Sequence, residues 1–130
     1  MAKPWTHAVS SAKKFGGVPE DYLRIHNFMD SSKGSVADNR HRFLSHNSWF
    51  IAPDGPLEMV FGVTFLNRDN REVSVRAVGE QHILEDFGGV IPTPQDYAMS
   101  MELAPWMSGM GVPPSALGLR KTKEEKTDND

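Results

Sequence analysis

The segment VTFLNRDNREVSVR, residues 63–76, decides the fold class. It opens with four apolar or β-branched residues and continues with four polar residues, 67–70, that are typical of a turn. Its second half alternates valine with charged or polar residues, as a half-buried strand does. The segment therefore predicts a β-hairpin with strands over 63–66 and 71–76.

Helical patterns surround this hairpin on both sides. Thr6 is the predicted cap of a first helix that ends at Phe15, before Gly16-Gly17. A second helix is predicted from Pro19, because Glu20 and Asp21 fill its first turn. Further helices are predicted from Ser35 to about Trp49, from Glu80 to Asp86, and from a Thr93 cap to about Leu103. A hairpin alone is marginally stable, so helices must cover it. The fold class predicted is α+β, a mostly helical single domain with one β-hairpin.

The chain has 130 residues and 14.5 kDa, the size of one domain. We predict a single globular domain over residues 1–107. Residues 108–119 are rich in Gly and Pro, and residues 120–130 have no apolar side chain. Residues 108–130 are therefore predicted to be a flexible, charged tail.

Composition excludes several classes of protein. The chain has no Cys, which excludes disulfides and thiolate metal sites. No apolar run approaches the ~20 residues of a membrane span. A net charge of -3 and a pI of about 5.9 argue against a nucleic-acid partner. The first residues lack a secretory core, so the predicted location is the cytoplasm, or the host cytoplasm for a phage protein.

Five histidines stand out in this sequence: His7, His26, His41, His46 and His82. Three of them have carboxylates at helical contact spacing, namely His26 with Asp30, His41 with Asp38, and His82 with Glu85 and Asp86. A carboxylate that bonds an imidazole fixes its tautomer and raises its basicity, as beside metal ions and in catalytic pairs.

These pairs predict a divalent metal site, with zinc or manganese as the ions that suit mixed imidazole and carboxylate ligands. The predicted ligands are His26, His41 and His82. Asp30, Asp38, Glu85 and Asp86 are predicted as further ligands or as partners that orient them, and Arg42 as a positioning group. His41 and His46 point roughly 140° apart on a continuous helix and would not share an ion. Hydrolysis is one use of such a site. In the alternative interpretation the histidines are structural hydrogen-bonding groups or metal-free acid–base catalysts.

Several blocks in a fixed order resemble a family of small bacterial and phage proteins described as a domain of unknown function. The blocks are KKFGG-x-PEDYL-x-IH from Lys13, D-x-RHR from Asp38, GEQH-x-x-ED from Gly79, and IPT from Ile91. The resemblance covers about residues 7–107 and implies histidines, or Arg-His combinations, at all five histidine positions. Where the family continues with a second His and a long apolar helix, this chain has Asn47, so the third helix is expected to stop earlier. The resemblance implies no reaction.

A second function hypothesis follows from the Met- and Trp-containing residues 99–110. They predict an adaptable protein-binding segment. On this hypothesis the protein is a non-enzymatic phage or bacterial accessory or anti-defence module. Elemental analysis separates the two hypotheses. The substrate, the oligomeric state and the identity of any partner stay open at this point.

Overall fold

A computed structural model describes residues 3–115 of the chain. The helices are α1 (Pro4–Phe15), α2 (Glu20–Asp30), α3 (Arg42–Ser45), α4 (Pro56–Phe61), α5 (Val75–Phe87) and α6 (Pro94–Ala98). Two short strands, β1 (Thr64–Leu66) and β2 (Glu72–Ser74), and three 3-10 turns, Ser31–Gly34, Asn39–His41 and Pro105–Ser108, complete the described part. The predicted fold class, mostly helical α+β with one hairpin, is confirmed for these residues.

The hairpin is antiparallel, and Phe65 lies opposite Val73. Asn67 closes its turn, because its side-chain oxygen accepts from the backbone N–H groups of Asp69 and Arg71. The second strand is shorter than predicted. It ends at Ser74, whose hydroxyl caps α5 by accepting from the Ala77 N–H at 3.2 Å.

Three helices of the described part match the sequence in one boundary and differ in another. Helix α1 ends at Phe15 as predicted but begins at Pro4, so Thr6 is not its cap. Helix α5 begins at Val75 instead of Glu80, because the Ser74 cap starts it earlier. Helix α6 has the predicted Thr93 cap, completed by Asp96, but ends at Ala98. Helix α2 begins at Glu20, directly after Pro19, as predicted.

The predicted helix from Ser35 to Trp49 is wrong. Asp38 starts a new 3-10 turn by accepting from the Arg40 N–H at 2.8 Å, and α3 then lasts one turn. At His46 the backbone leaves the helical conformation, with φ -99° and ψ 64°. Asn47 bonds Phe43 O on one side and Phe50 N–H on the other, which stabilises this break. The break turns the His46 ring away from the direction a continuous helix would give it.

Helices α1, α2, α4 and α5 and the hairpin enclose an apolar core. The core consists of Ala8, Tyr22, Ile25, Met29, Ile51, Leu57, Val73, Val75, Val78 and Ile83. Helix α5 approaches α4 closely at Gly79, where a Cβ atom would lie 2.6 Å from Leu57 Cδ2. The backbone of α5 therefore lies deep enough to present side chains to α1, α2 and α4.

The described residues up to Ser100 form one compact unit, and those from Met101 form a second, short one. In the second unit Pro105–Ser108 make a 3-10 turn, while Leu103 is 77% and Met110 66% exposed. The division into a domain over 1–107 and a flexible tail over 108–130 stays a prediction, and residues 116–130 of that tail lie outside the described residues. Within 3–115, no helix has the length and apolar character needed to cross a membrane.

Candidate metal centre

All five histidines are completely buried and lie together, and we call them the histidine cluster. Three helices contribute polar residues four positions apart, so that each pair lies on one helix face. These pairs are His7 with Ser11 on α1, His26 with Asp30 on α2, and His82 with Asp86 on α5. The short stretch after Ser35 adds His41, and the break after α3 adds His46.

Four atoms of two histidines and two aspartates converge at the centre of this cluster. His46 Nε2 lies 3.0 Å from Asp86 Oδ2 and 3.5 Å from Asp30 Oδ1. His82 Nε2 lies 3.3 Å from Asp86 Oδ2 and 3.2 Å from Asp30 Oδ1. One ligand atom from each of the four residues lies within 4.8 Å of all the others.

These separations fit the ligand shell of one metal ion. Four atoms that each lie about 2.0–2.1 Å from a tetrahedral zinc ion are roughly 3.3–3.4 Å from one another. The four nitrogen–oxygen distances, 3.0 to 3.5 Å, bracket that value. Two imidazoles and two carboxylates also form a donor set that zinc and related divalent ions accept.

Both aspartates are held in the ionised form. Burial alone would raise the pKa of Asp86, but the hydrogen bonds from His46, His7 and His82 outweigh it and lower the pKa well below the usual range. Burial likewise opposes ionisation of Asp30, and hydrogen bonds from His46 and His82 lower its pKa well below the usual range. Two buried negative charges side by side require positive partners, either protons on the imidazoles or a cation.

Further residues hold the second oxygen of Asp86. His7 Nε2 contacts Asp86 Oδ1 at 3.1 Å, and His7 Nδ1 contacts Glu85 Oε1 at 2.7 Å. Burial lowers the pKa of His7, but the two carboxylates outweigh it and the pKa is raised. Arg42, whose guanidinium lies 4.9 Å from the centre of the Phe87 ring, places Nη2 3.8 Å from the same Asp86 Oδ1. Asp86 Oδ2 is thereby left to face His46 and His82.

His26 contacts His82 through the ring nitrogen of His82 that does not face the aspartates. Its Nδ1 lies 2.9 Å from His82 Nδ1, and its Nε2 lies 2.7 Å from Ser11 Oγ. Burial, followed by the neighbouring His82 and His7, lowers the pKa of His26 to about 3. The His26 ring is therefore neutral at pH 7, and both of its nitrogens are engaged with other side chains.

His41 lies beside the group, with its ring centre 5.3 Å from that of His46. Its Nδ1 is 2.8 Å from Ser32 Oγ, while its buried Nε2 has no hydrogen-bond partner among the described residues. Asp38 is exposed and bonds Arg40 at 2.7 Å, away from the cluster. Glu85 reaches the cluster only through His7.

Of the seven predicted site residues, the structure brings Asp30, His82 and Asp86 into the four-atom group. The fourth member, His46, is absent from the predicted ligands because a continuous third helix points it away from His41. The signal that could have found it is Asn47, a residue type whose side chain bonds nearby backbone groups and so favours the end of a helix. The sequence pairs on α2 and α5 were sufficient for the other three residues.

Most of the chain matches the model of a known protein family. The model of a family described as a domain of unknown function (DUF6915) matches residues 2–107. The searches found no significant match to a curated protein or to a solved structure.

Proposed function

We propose that this chain, which belongs to the DUF6915 family of domains of unknown function, binds one divalent metal ion through Asp30, His46, His82 and Asp86. The observation that carries the proposal is the convergence of four potential ligand atoms from three separate parts of the fold. Their nitrogen–oxygen separations are those expected between ligands of one ion. The ligands come from distant parts of the sequence, so they assemble only in the folded chain and the ion adds to folding stability.

The burial of the ligands favours a structural ion over a hydrolytic one. The four side chains are 0 to 6% exposed, and four protein ligands are the full set of a four-coordinate site. A hydrolytic ion needs a coordination position open to water and substrate. We therefore assign the ion to the stability of the histidine cluster, and we name zinc as the ion that best suits four nitrogen and oxygen ligands in this geometry.

A second candidate function is the non-enzymatic binding module, in which the cluster holds protons instead of an ion. It is supported by exposed apolar side chains in residues 99–110, where Met99 is 77% and Leu103 77% exposed. On this hypothesis His46 Nε2 donates to the Asp86 carboxylate at 3.0 Å, and His82 Nε2 donates to the Asp30 carboxylate at 3.2 Å.

Elemental analysis of protein purified without a histidine tag or chelator tests the proposal. We expect about one zinc per chain, and a melting temperature that falls when a chelator removes it. The variant His46→Ala should lose the zinc, while Asp38→Ala, which removes an exposed carboxylate outside the group, should keep it. Absence of metal, together with a melting curve that ignores both chelator and added zinc, would contradict the proposal and favour the binding module.

A further inference from the structure

We infer that His26 is a positioning residue that holds His82 in the tautomer a metal ion needs. The inference rests on the proposed metal site and adds a role for a histidine outside the four ligands. It follows from a chain of hydrogen bonds in which each donor can be assigned.

The chain of bonds starts at Gln81. Its side-chain N–H donates to the backbone carbonyl of His7 at 3.1 Å, so its oxygen is the atom that faces Ser11. The Ser11 hydroxyl also lies 3.1 Å from the same His7 carbonyl. Both neighbours are carbonyl oxygens, which accept and cannot donate. The separation of 2.5 Å between Ser11 Oγ and Gln81 Oε1 is too short for two oxygens without a proton between them, so the single proton of Ser11 goes to Gln81.

The third neighbour of the Ser11 hydroxyl is His26 Nε2, at 2.7 Å. Because the serine proton is already donated, this contact is a hydrogen bond only if His26 Nε2 carries a proton and donates it. A neutral imidazole has one N–H, so His26 then presents a lone pair at Nδ1.

That lone pair faces His82 Nδ1 at 2.9 Å. His82 therefore donates from Nδ1, and its other nitrogen, Nε2, faces the two aspartates. The nitrogens of His7, whose ring stacks on His82 at 3.9 Å, are occupied by Glu85 and Asp86. His26 thus fixes which nitrogen of His82 binds the ion, as outer partners of metal-bound imidazoles do.

His46 has the same arrangement through a simpler route. Ser45 donates to the Met29 carbonyl at 2.7 Å and so accepts from His46 Nδ1 at 2.8 Å. His46 Nε2 then faces the aspartates as His82 Nε2 does. Both ligand imidazoles are set to the same tautomer by serine–carbonyl relays, and only the one to His82 passes through a second histidine.

Two near-isosteric variants test this role. In His26→Asn the side-chain oxygen lies close to the position of Nδ1 and can accept from His82, whereas in His26→Gln the amide lies near the position of Nε2 and meets only Ser11. We expect His26→Asn to keep nearly the wild-type zinc affinity and His26→Gln to lose about 10- to 100-fold, the usual effect of removing such a partner. Zinc titration of the metal-free proteins measures the affinity. Melting temperatures in the presence of a chelator show whether the two variants are equally stable without zinc.

A second test uses the wild type alone, so its result does not depend on whether a variant folds. Nitrogen-15 NMR of the metal-free protein should show His82 with its proton on Nδ1. Equal zinc affinity of His26→Asn and His26→Gln, or an unprotonated His82 Nδ1, overturns the inference about His26. If the wild type nevertheless binds zinc, the proposed metal site is still supported. A wild type that binds no zinc overturns the proposed function and the inference with it.

Discussion

The apolar core and the histidine cluster are built from the same helices, one residue apart. On α2, Ile25 and Met29 pack in the apolar core, whereas His26 and Asp30, the next residue in each case, belong to the cluster side. Both groups are buried to nearly the same degree. The two neighbouring faces of one helix thus differ in chemistry and hardly at all in exposure.

This difference decides what each region does for stability. Burial of apolar surface is favourable by itself, at about 25 cal/mol per Å². Burial of imidazoles and carboxylates costs free energy unless every polar atom finds a partner. The apolar core can therefore drive folding in any solution that permits it, while the contribution of the cluster depends on protons or on an ion.

The largest effect is expected from Asp86→Asn. The Asp86 carboxylate contacts His7, His46 and His82 and lies near Arg42. Breaking a buried charged network of this kind costs about 3–5 kcal/mol. Chemical unfolding should show this loss, and added zinc should no longer raise the stability of the variant.

The matched control is Asp38→Asn, since Asp38 is exposed and pairs only with Arg40. Its stability and its response to zinc should equal those of the wild type. If the two aspartates gave similar results, the distinction between cluster and surface would be wrong.

A somewhat smaller loss is expected from Leu57→Ala in the apolar core. Leu57 is fully buried and packs against α5 at Gly79, so truncation leaves a cavity and costs about 2–5 kcal/mol. The loss should be the same with chelator and with zinc. Leu66→Ala, at a position 66% exposed, should change stability by less than about 0.5 kcal/mol. A zinc-dependent effect at Leu57 would show that the two regions are not separable.

The pH dependence of the stability of the metal-free protein is the third way to distinguish the apolar core from the histidine cluster. Burial lowers the pKa of His26 to about 3 in the folded protein. As the pH falls below about 6.5, His26 therefore binds a proton in the unfolded chain but not in the folded one. Stability should therefore fall by about 1–2 kcal/mol between pH 6.5 and 5. Below about pH 4 it should fall further, because the lowered pKa values of Asp30 and Asp86 make the unfolded state bind protons first.

Above about pH 6.5, the stability of the metal-free protein should fall as the pH rises. Burial lowers the pKa of His7 but its two carboxylate partners raise it overall, so the stability that His7 contributes is complete below pH 6.5 and is lost at higher pH. We expect maximal stability of the chelated protein near pH 6.5, measured by urea unfolding across a pH series. His26→Asn should flatten the slope between pH 6.5 and 5. A slope unchanged in this variant would contradict the assignment to His26.

The sequence was a good guide where a short-range rule applies. The alternation around Val73 predicted the hairpin, and Pro19 followed by Glu20 and Asp21 predicted the start of α2. The four-residue spacings of His26 with Asp30 and of His82 with Asp86 made Asp30, His82 and Asp86 candidates, and the structure brings these three together with His46. In each case the information lies within one element.

The sequence failed where the outcome depends on contacts between elements. The break at His46 is stabilised by bonds of Asn47 to the backbone and by the contact of Ser45 with the Met29 carbonyl on α2. Helical periodicity does not predict these contacts, so the direction it predicts for the His46 ring is wrong. The relay from Ser11 through His26 to His82 likewise joins three helices and has no signature in local spacing.

The last comparison concerns two tyrosines, one beside each region, and the smallest loss of stability is expected at Tyr97. Tyr97 on α6 donates to the His46 carbonyl at 2.8 Å, and burial raises its pKa to about 12, so it remains a donor across the usable pH range. Tyr97→Phe removes this bond at a cost of about 0.5–1.5 kcal/mol. Because the bond holds the backbone of a proposed ligand, the variant should also bind zinc more weakly.

Tyr22→Phe is the matched change on the apolar side. Tyr22 donates to the Gly16 carbonyl at 2.6 Å and accepts from Asn67 at 3.1 Å. Tyr22→Phe removes both bonds and leaves one buried N–H of Asn67 without its acceptor, while the other still donates to the Phe15 carbonyl, so the change costs about 1–3 kcal/mol. Its zinc affinity, measured on the metal-free protein, should nevertheless equal that of the wild type. Stability and zinc affinity should therefore rank the two variants in opposite order. The same order in both measurements would mean that stability alone governs metal binding, and that the contact of Tyr97 with His46 has no separate role.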